Sequence, residues 1–179
     1  KMINELTEEL SHGNSLTIEQ MTNVMNKILT GTQNDDDVAQ FLKNLTQKGE
    51  SDDELLGMLN KMEEYSVHIS PNCNGKIIDV CGTGGDKLKT FNISTTASFV
   101  IAGAGGNVAK HGNRSISGIS GSADIFEYFG FDLNSEPNKV NETIEKFGIG
   151  FMFAQKFHPA MKNVANARKI IGGRTAFNL

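Results

Sequence analysis

The sequence is poor in several features that mark whole classes of protein. Its 179 residues include no tryptophan, three prolines and two cysteines, and Cys73 and Cys81 lack the spacing of a metal site. Unpatterned, scarce cysteines are typical of a reducing compartment. Positive charge is not in excess either, because the net charge is -4 and the pI is about 5.6. The composition therefore gives no support to a nucleic-acid or membrane partner.

Long apolar runs are also missing. The opening KMINELTEEL has neither the basic nor the apolar region of a signal peptide, and ASFVIAGAGG is too short to span a bilayer. We therefore expect a cytoplasmic protein. The hydrophobic share of 38% is sufficient for an ordinary globular core.

Residues 1–68 contain no proline and repeat one helical pattern. Apolar residues recur at helical spacing in four stretches, which begin near Ile3, Met21, Val38 and Leu55. Two capping boxes and two terminating glycines bound these stretches, namely Thr17 with Gln20, Ser51 with Glu54, Gly31 and Gly49. The pattern predicts an α-helical bundle, in which methionines at core spacing fill gaps.

Beyond residue 70 the pattern changes to strands alternating with helices. KIIDV, NVAKH and GIGFMFA are typical of strands, and helical patterns separate them. Such alternation predicts parallel strands joined by crossover helices. We therefore predict an N-terminal helical domain at 1–70, a linker at 71–76, and the first part of an α/β domain with a mainly parallel sheet at 77–179.

The stretch CGTGGDKLKTFNIST, residues 81–95, places three glycines between a predicted strand and a predicted helix. Glycines let a ligand approach the backbone, and N–H groups at a helix start attract phosphate. Lys87 follows Gly82 without the Gly-Lys-Ser/Thr triplet of a Walker loop, and the third glycine of a dinucleotide fingerprint is missing. The turn is either an anion site or a tight turn with nothing bound.

A second such turn, KHGNRSISGISGSAD at residues 110–124, follows the second predicted strand. It supplies cations, hydroxyls and glycines, and parallel-sheet geometry brings both turns to one edge. Two anion-binding turns at one edge suit a substrate with more than one phosphate, whereas the alternative is a mobile surface loop.

A third cluster, FHPAMKNVANARKIIGGRT, predicts a helix beginning at Pro159, with Met161, Val164, Ala165, Arg168 and Ile171 on one face. Arg168 interrupts this apolar stripe. It is either a partner for a carboxylate or a surface arginine with a buried stem.

These three motifs, in this order behind a helical segment, resemble the anthranilate phosphoribosyltransferase family. The resemblance covers the whole chain. It implies transfer of ribose 5-phosphate from phosphoribosyl pyrophosphate (PRPP) to the amine of anthranilate, with Mg²⁺ and release of pyrophosphate. It also implies a site in a cleft between the two domains and a homodimer formed through the helical domain.

The resemblance implies a role for each motif residue. The PRPP-binding residues would be Gly82, Gly85, Asp86, Thr90, Asn92, Ile93, Ser94, Thr95, Lys110, His111, Gly112, Asn113, Arg114, Ser115, Ile116, Ser117, Gly118 and Ser122. Anthranilate would contact Gly82, Asn113, His158 and Arg168, and Ser94 would also bind Mg²⁺. No general base stands out, because a neutral aromatic amine needs little help from one.

The chain departs from the family pattern in two places. Gly118 and Ile119 replace an expected serine and a frequent basic residue. An Asp-Glu pair that holds Mg²⁺ in the family would follow residue 179, so we expect this chain alone to be inactive. The alternatives are a pyrimidine nucleoside phosphorylase and a non-catalytic, nucleic-acid-binding relative.

Overall fold

The computed structural model describes residues 2–82, 91–115 and 120–178, which form two compact units. One unit comprises Lys1–Ser66 with His158–Leu179, and the other comprises Val67–Phe157. The predicted division placed all of 77–179 in the α/β domain. The compact units differ from it after residue 157, because the last segment packs into the helical core.

Four helices open the helical unit, as predicted: α1 (Ile3–Ser11), α2 (Ile18–Leu29), α3 (Asp35–Lys48) and α4 (Asp52–Glu64). Helix α1 packs on α3, and α2 packs on α4. Both predicted capping boxes are present, since Thr17 and Ser51 each accept a hydrogen bond from the backbone three residues on. Gly31 and Gly49, with φ of 71° and 89°, follow the ends of α2 and α3 in a backbone region that favours glycine.

The α/β unit contains a parallel sheet of order β1-β2-β3 among the described residues. Its elements are β1 (Ile77–Ile78), α5 (Ile93–Gly103), β2 (Asn107–Gly112), α6 (Ser122–Tyr128), α7 (Pro137–Phe147), β3 (Ile149–Phe153) and α8 (Ala154–Phe157). This architecture confirms the predicted fold class of a helical bundle followed by a parallel α/β domain.

Side chains of β2 and β3 alternate between two apolar clusters, as expected of a sheet covered on both faces. Val108 and Phe151 pack with Phe126 of α6 in one cluster, while Ala109 and Met152 join residues of α7 in the other. The strand predicted at KIIDV forms only in part. Strand β1 has only two residues, 42% and 41% exposed, because it pairs with β2 alone among the described strands.

The remaining segment of the helical unit is a 3-10 helix at Pro159–Val164, then α9 (Ala165–Ile171), then a 3-10 turn at Ala176–Asn178. Helix α9 packs on α3. The predicted apolar face was correct for Val164 but wrong for Ala165, which is exposed while Ala167 is buried. The tighter 3-10 turn changes the angular phase of the residues that follow it. No helix in the described ranges combines the length and the apolar content needed to cross a bilayer.

Candidate active site

Strands β1 and β2 are neighbours in the sheet, and the residue that follows β1 and those that end β2 carry the first polar side chains of the candidate site. Asp79 follows β1, and its Oδ2 lies 2.7 Å from Nδ1 of His111 at the end of β2. The Oδ1 atom accepts hydrogen bonds from the backbone N–H of Cys81, at 3.0 Å, and of His111, at 3.3 Å. This one carboxylate therefore links the entry of the glycine turn to the second turn.

The charge state of Asp79 follows from its surroundings. Burial favours the neutral acid, but the hydrogen bonds and charge of His111 and the N–H of Cys81 outweigh it, so the pKa of Asp79 lies below its usual value. The carboxylate is therefore ionised near neutral pH and acts only as an acceptor.

Lys110, also on β2, is only 2% exposed. Its Nζ donates a hydrogen bond of 2.6 Å to the backbone oxygen of His111. Burial lowers the pKa of Lys110, and the negative potential of Asp79 and Cys81 offsets part of this shift. The strand thus holds an ammonium group within the unit, directly beneath the second turn.

The backbone packs tightly where the second turn meets α6. A side chain on Gly112 would overlap Ser122 Oγ and the Phe151 ring, and one on Gly121 would overlap the backbone of Ser115. The backbone oxygen of Asn113 accepts a hydrogen bond of 3.3 Å from Ser122 Oγ. These glycines are therefore required by the protein's own packing.

Gly82 differs from these two glycines. An added Cβ there would meet no described atom within 4 Å, and its φ is not in the left-handed region. Neither packing against the described residues nor backbone strain accounts for a glycine at this position. Open space beside the backbone is instead what close approach of a ligand needs.

Arg114, predicted to bind phosphate, is already paired. Its guanidinium makes hydrogen bonds of 2.8 Å to Asp124 and of 2.8 and 2.9 Å to Glu127, both on α6. Ser115, the last described residue before position 116, is half-buried. In this conformation Arg114 fixes the turn to α6.

The start of α5 lies at the same edge as the second turn. Asn92 Nδ2 donates to the backbone oxygen of Ser120 at 3.1 Å, so two of the predicted motifs meet here. Ile93 is exposed and Ser94 is half-buried. Thr95 is buried, and its Oγ1 has no hydrogen-bond partner in the part of the chain that the structure describes.

A groove of about 550 Å³ runs between α5 and α6, lined by Thr95, Thr96, Phe99, Val100, Ile125 and Phe129. Its lining is mainly apolar and carries no charge. It therefore does not have the chemistry of a phosphate site, which needs cations or converging N–H groups.

Arg168 and His158 belong to the helical unit. The Arg168 guanidinium lies 6.0 Å from the centroid of the Phe177 ring, and its Nη2 donates to Asn178 Oδ1 at 3.4 Å. The same Asn178 oxygen accepts from the Thr175 N–H at 3.1 Å. His158 is half-buried and precedes the 3-10 helix.

The structure thus joins Asn92, Lys110, His111, Gly112, Asn113, Arg114 and Ser122 at one edge of the α/β unit. Six predicted site residues, Gly85, Asp86, Thr90, Ile116, Ser117 and Gly118, lie outside the described residues. Sequence reasoning missed Asp79 as well as the partners of Arg114. A polar residue that closes an apolar strand, as Asp79 closes KIID, is the signal that could have identified it.

The described side chains alone do not form a magnesium site. Magnesium prefers oxygen ligands, usually including one or two carboxylates. Ser94 offers a single neutral hydroxyl, and no group of three metal-ligating side chains occurs within the described ranges. Asp86, the nearest acidic residue of the motif, is outside those ranges.

Two domain families match this architecture in order. Residues 4–66 match the helical bundle domain of a glycosyl transferase family, and residues 74–179 match the a/b domain of that family. The chain belongs to this glycosyl transferase family.

Its relatives are anthranilate phosphoribosyltransferases. The chain is 66% identical over 178 residues to that enzyme of Nitrosopumilus maritimus, covering 99% of this chain and 51% of the relative. The enzyme of Cenarchaeum symbiosum is 48% identical over 172 residues, covering 96% and 50%. The chain spans about half the length of the curated relatives it matches.

Solved structures of anthranilate phosphoribosyltransferases are similar to this chain in fold. Anthranilate phosphoribosyltransferase from Thermus thermophilus superposes with a TM-score of 0.88 at 39% identity, covering 97% of this chain and 52% of that one. The Saccharomyces cerevisiae enzyme in complex with PRPP and Mg gives 0.86 at 25% identity, covering 98% and 53%. The chain therefore has the fold of about half of each of these solved enzymes.

Proposed function

We propose that this chain takes part in transferring the 5-phosphoribosyl group of PRPP to the amine of anthranilate, a step of tryptophan biosynthesis. The observation that carries the proposal is the meeting of two phosphate-suited turns at one sheet edge, through Asp79 with His111 and Asn92 with Ser120. The high identity to enzymes of this name supports the same reading.

In the reaction a bond forms between the anthranilate nitrogen and C1 of the ribose, the bond from C1 to pyrophosphate breaks, and the amine loses a proton. Pyrophosphate leaves with its charge, so a cation and N–H groups near its oxygens stabilise the transition state. Lys110 is the buried cation nearest this edge, and the open backbone at Gly82 gives the donor room. Positioning of the two substrates supplies the rest.

Substrate contacts divide between the two units in this proposal. The α/β unit would bind PRPP through both turns, and Arg168 with His158 would bind anthranilate, because a planar guanidinium fits a carboxylate. Mg²⁺ would supply charge neutralisation at the pyrophosphate, with Ser94 as one ligand. Because Ser94 alone is too weak a site, the 179-residue chain by itself should show little turnover.

The helical unit would also carry a homodimer contact. Exposed apolar side chains on α4, Leu56 and Leu59, are suited to such a contact. Light scattering at micromolar concentration tests it, with Leu59→Glu as the variant expected to give a monomer. Dimerisation and cytoplasmic location stay predictions.

The decisive assay follows the loss of anthranilate fluorescence with PRPP and Mg²⁺. It compares the 179-residue chain with a longer form that includes the acidic pair seen in the family. We expect turnover by the longer form only. Phosphorolysis of thymidine by the longer form, without use of anthranilate, would instead favour the nucleoside phosphorylase alternative.

A further inference from the structure

Asp79 is absent from the set of residues implied to touch either substrate, yet it makes the contacts that join the two turns. Its Oδ2 pairs with His111 Nδ1 at 2.7 Å, while its Oδ1 accepts from the N–H groups of Cys81 and His111. Both turns therefore take their starting positions from one carboxylate.

The chemistry of this carboxylate also determines the state of the His111 ring. An ionised carboxylate has no proton to donate, so the short contact requires a proton on Nδ1. In a neutral ring the acceptor lone pair then lies on Nε2. Asp79 thus selects the tautomer of the ring.

We infer that Asp79 is a positioning residue of the transferase, which holds His111 in its Nδ1–H form and sets the distance between Cys81, at the entry of the glycine turn, and His111, near the start of the second turn. The inference deepens the proposed function and rests on it for the substrate class. The hydrogen-bond geometry stands independently of that class.

Asp79→Asn is a sharp test because it changes one atom. The asparagine oxygen can keep both backbone hydrogen bonds, but its amide nitrogen is a donor and cannot accept from Nδ1 of His111. The ring should therefore move its proton to Nε2 and accept at Nδ1. A similar exchange of tautomer is expected wherever an amide replaces a carboxylate beside an imidazole.

The first measurement is the ¹⁵N chemical shift of both ring nitrogens, in ¹⁵N-histidine-labelled chain at a pH where the rings are neutral. A His111→Gln spectrum assigns the signals. The wild-type protein should show Nδ1–H, and Asp79→Asn should show Nε2–H. An Nε2–H form in the wild-type protein, or an unchanged tautomer in the variant, would overturn the inference.

The second measurement is the affinity for inorganic pyrophosphate by calorimetry. Removing a negative charge should by itself strengthen anion binding, whereas a displaced pair of turns should weaken it. We expect Asp79→Asn to raise the Kd about tenfold, the size of effect that follows from losing one hydrogen bond to a charged group. Equal or tighter binding would overturn the positioning role.

Asp132→Asn is the matched control. Asp132 also accepts a backbone hydrogen bond within the α/β unit, from Asn134 at 2.9 Å, and this bond joins it to neither turn in the described part of the chain. Its Kd for pyrophosphate should stay within about twofold of wild type. An equal loss in both variants would show a general effect of carboxylate removal and overturn the specific role.

The test stays informative if the variant does not fold or if pyrophosphate does not bind. Circular dichroism reports whether Asp79→Asn folds, and if it does not, Asp79→Glu replaces it, because this variant keeps the acceptor and should retain Nδ1–H. If the wild-type chain fails to bind pyrophosphate, the proposed function loses support, while the ring-nitrogen shifts still decide the role of Asp79.

Discussion

The two units solve the problem of burial differently. Both units bury an apolar core, and Phe41, Leu42 and Leu45 of α3 are fully buried in the helical unit. The described part of the α/β unit leaves more large apolar side chains in solvent, namely Ile77, Ile78, Phe91, Ile93, Val100, Tyr128, Phe129 and Phe147, against Met2, Leu56, Leu59 and Ile170 in the helical unit.

The two units differ in what their polar groups do. Helices α2 and α4 begin with capping boxes, which satisfy part of their N-terminal backbone locally. In the α/β unit no described atom lies within 4 Å of a Cβ added at Gly82, and the polar side chains of Asp79 and Arg114 hold the described parts of the turns. The predicted substrate contacts concentrate in this less closed unit.

The largest expected effect is on the closed core. Phe41→Ala removes a ring that is 0% exposed, and we expect the unfolding free energy to fall by about 3–5 kcal/mol. Chemical denaturation measures it. Phe91→Ala is the matched control, because this ring is 70% exposed and its loss should cost below about 0.5 kcal/mol. Equal losses would remove the contrast between the units.

A buried carboxylate gives the helical unit a specific dependence on pH. Glu54 accepts hydrogen bonds of 2.8 Å each from Lys48 Nζ and from the N–H groups of Leu16 and Ser51. Burial alone would raise its pKa, but these bonds together hold the pKa of Glu54 below its usual value. The ionised form therefore stabilises the fold.

Because the folded pKa is depressed, this stabilisation is complete above the usual carboxyl pKa and is lost as the pH falls through the folded value. Glu54→Gln should lower the unfolding free energy at neutral pH by about 2 kcal/mol and flatten its decline in acid. Denaturation from neutral to acidic pH checks this. In Glu64→Gln, which loses an exposed pair with Lys61, the acid decline should persist.

The proposed division of substrates between the units can be tested with a pair of variants in an active form of the protein. Arg168→Ala should raise the KM for anthranilate about tenfold and leave that for PRPP nearly unchanged, because a charged hydrogen bond contributes about 1.5–3 kcal/mol. Lys110→Ala should do the reverse. Initial rates with each substrate varied in turn measure both constants, and equal damage to the two would count against the division.

Local signals made much of the fold predictable. The capping residues Thr17 and Ser51 mark where two helices begin. Strands β2 and β3, which contain Val108 and Phe151, are buried on both faces, so a run of apolar residues was enough to predict them. The exposure of β1 was not predictable, because the exposed fraction of a strand depends on which strands lie beside it. The 3-10 helix before α9 joins the bundle through residues distant in sequence, for instance Asn163, whose Nδ2 donates to the Leu29 oxygen.

The candidate site divides in the same way. Motif order identified Lys110 and Arg114, but their partners are set by tertiary contacts. Glu127 lies 13 residues beyond Arg114 and meets it only because α6 turns back on the loop. A pattern read along the sequence therefore names the polar residues and cannot say which of them the fold has already paired.

The smallest expected effect concerns that same pair. Arg114 and Glu127 have side chains about half exposed, so water and salt screen their attraction, although the contacts are as short as 2.8 Å. Glu127→Gln should lower the thermal midpoint slightly at low salt, and the difference should vanish near 1 M salt, where the screening length is about 3 Å. Glu142→Gln, which loses an exposed pair with Lys139, should behave alike. If the midpoint of Glu127→Gln stayed lowered at 1 M salt while that of Glu142→Gln recovered, charge attraction would not explain the effect. The planar hydrogen bonds to Arg114 would then hold the second turn on α6, although these side chains are exposed.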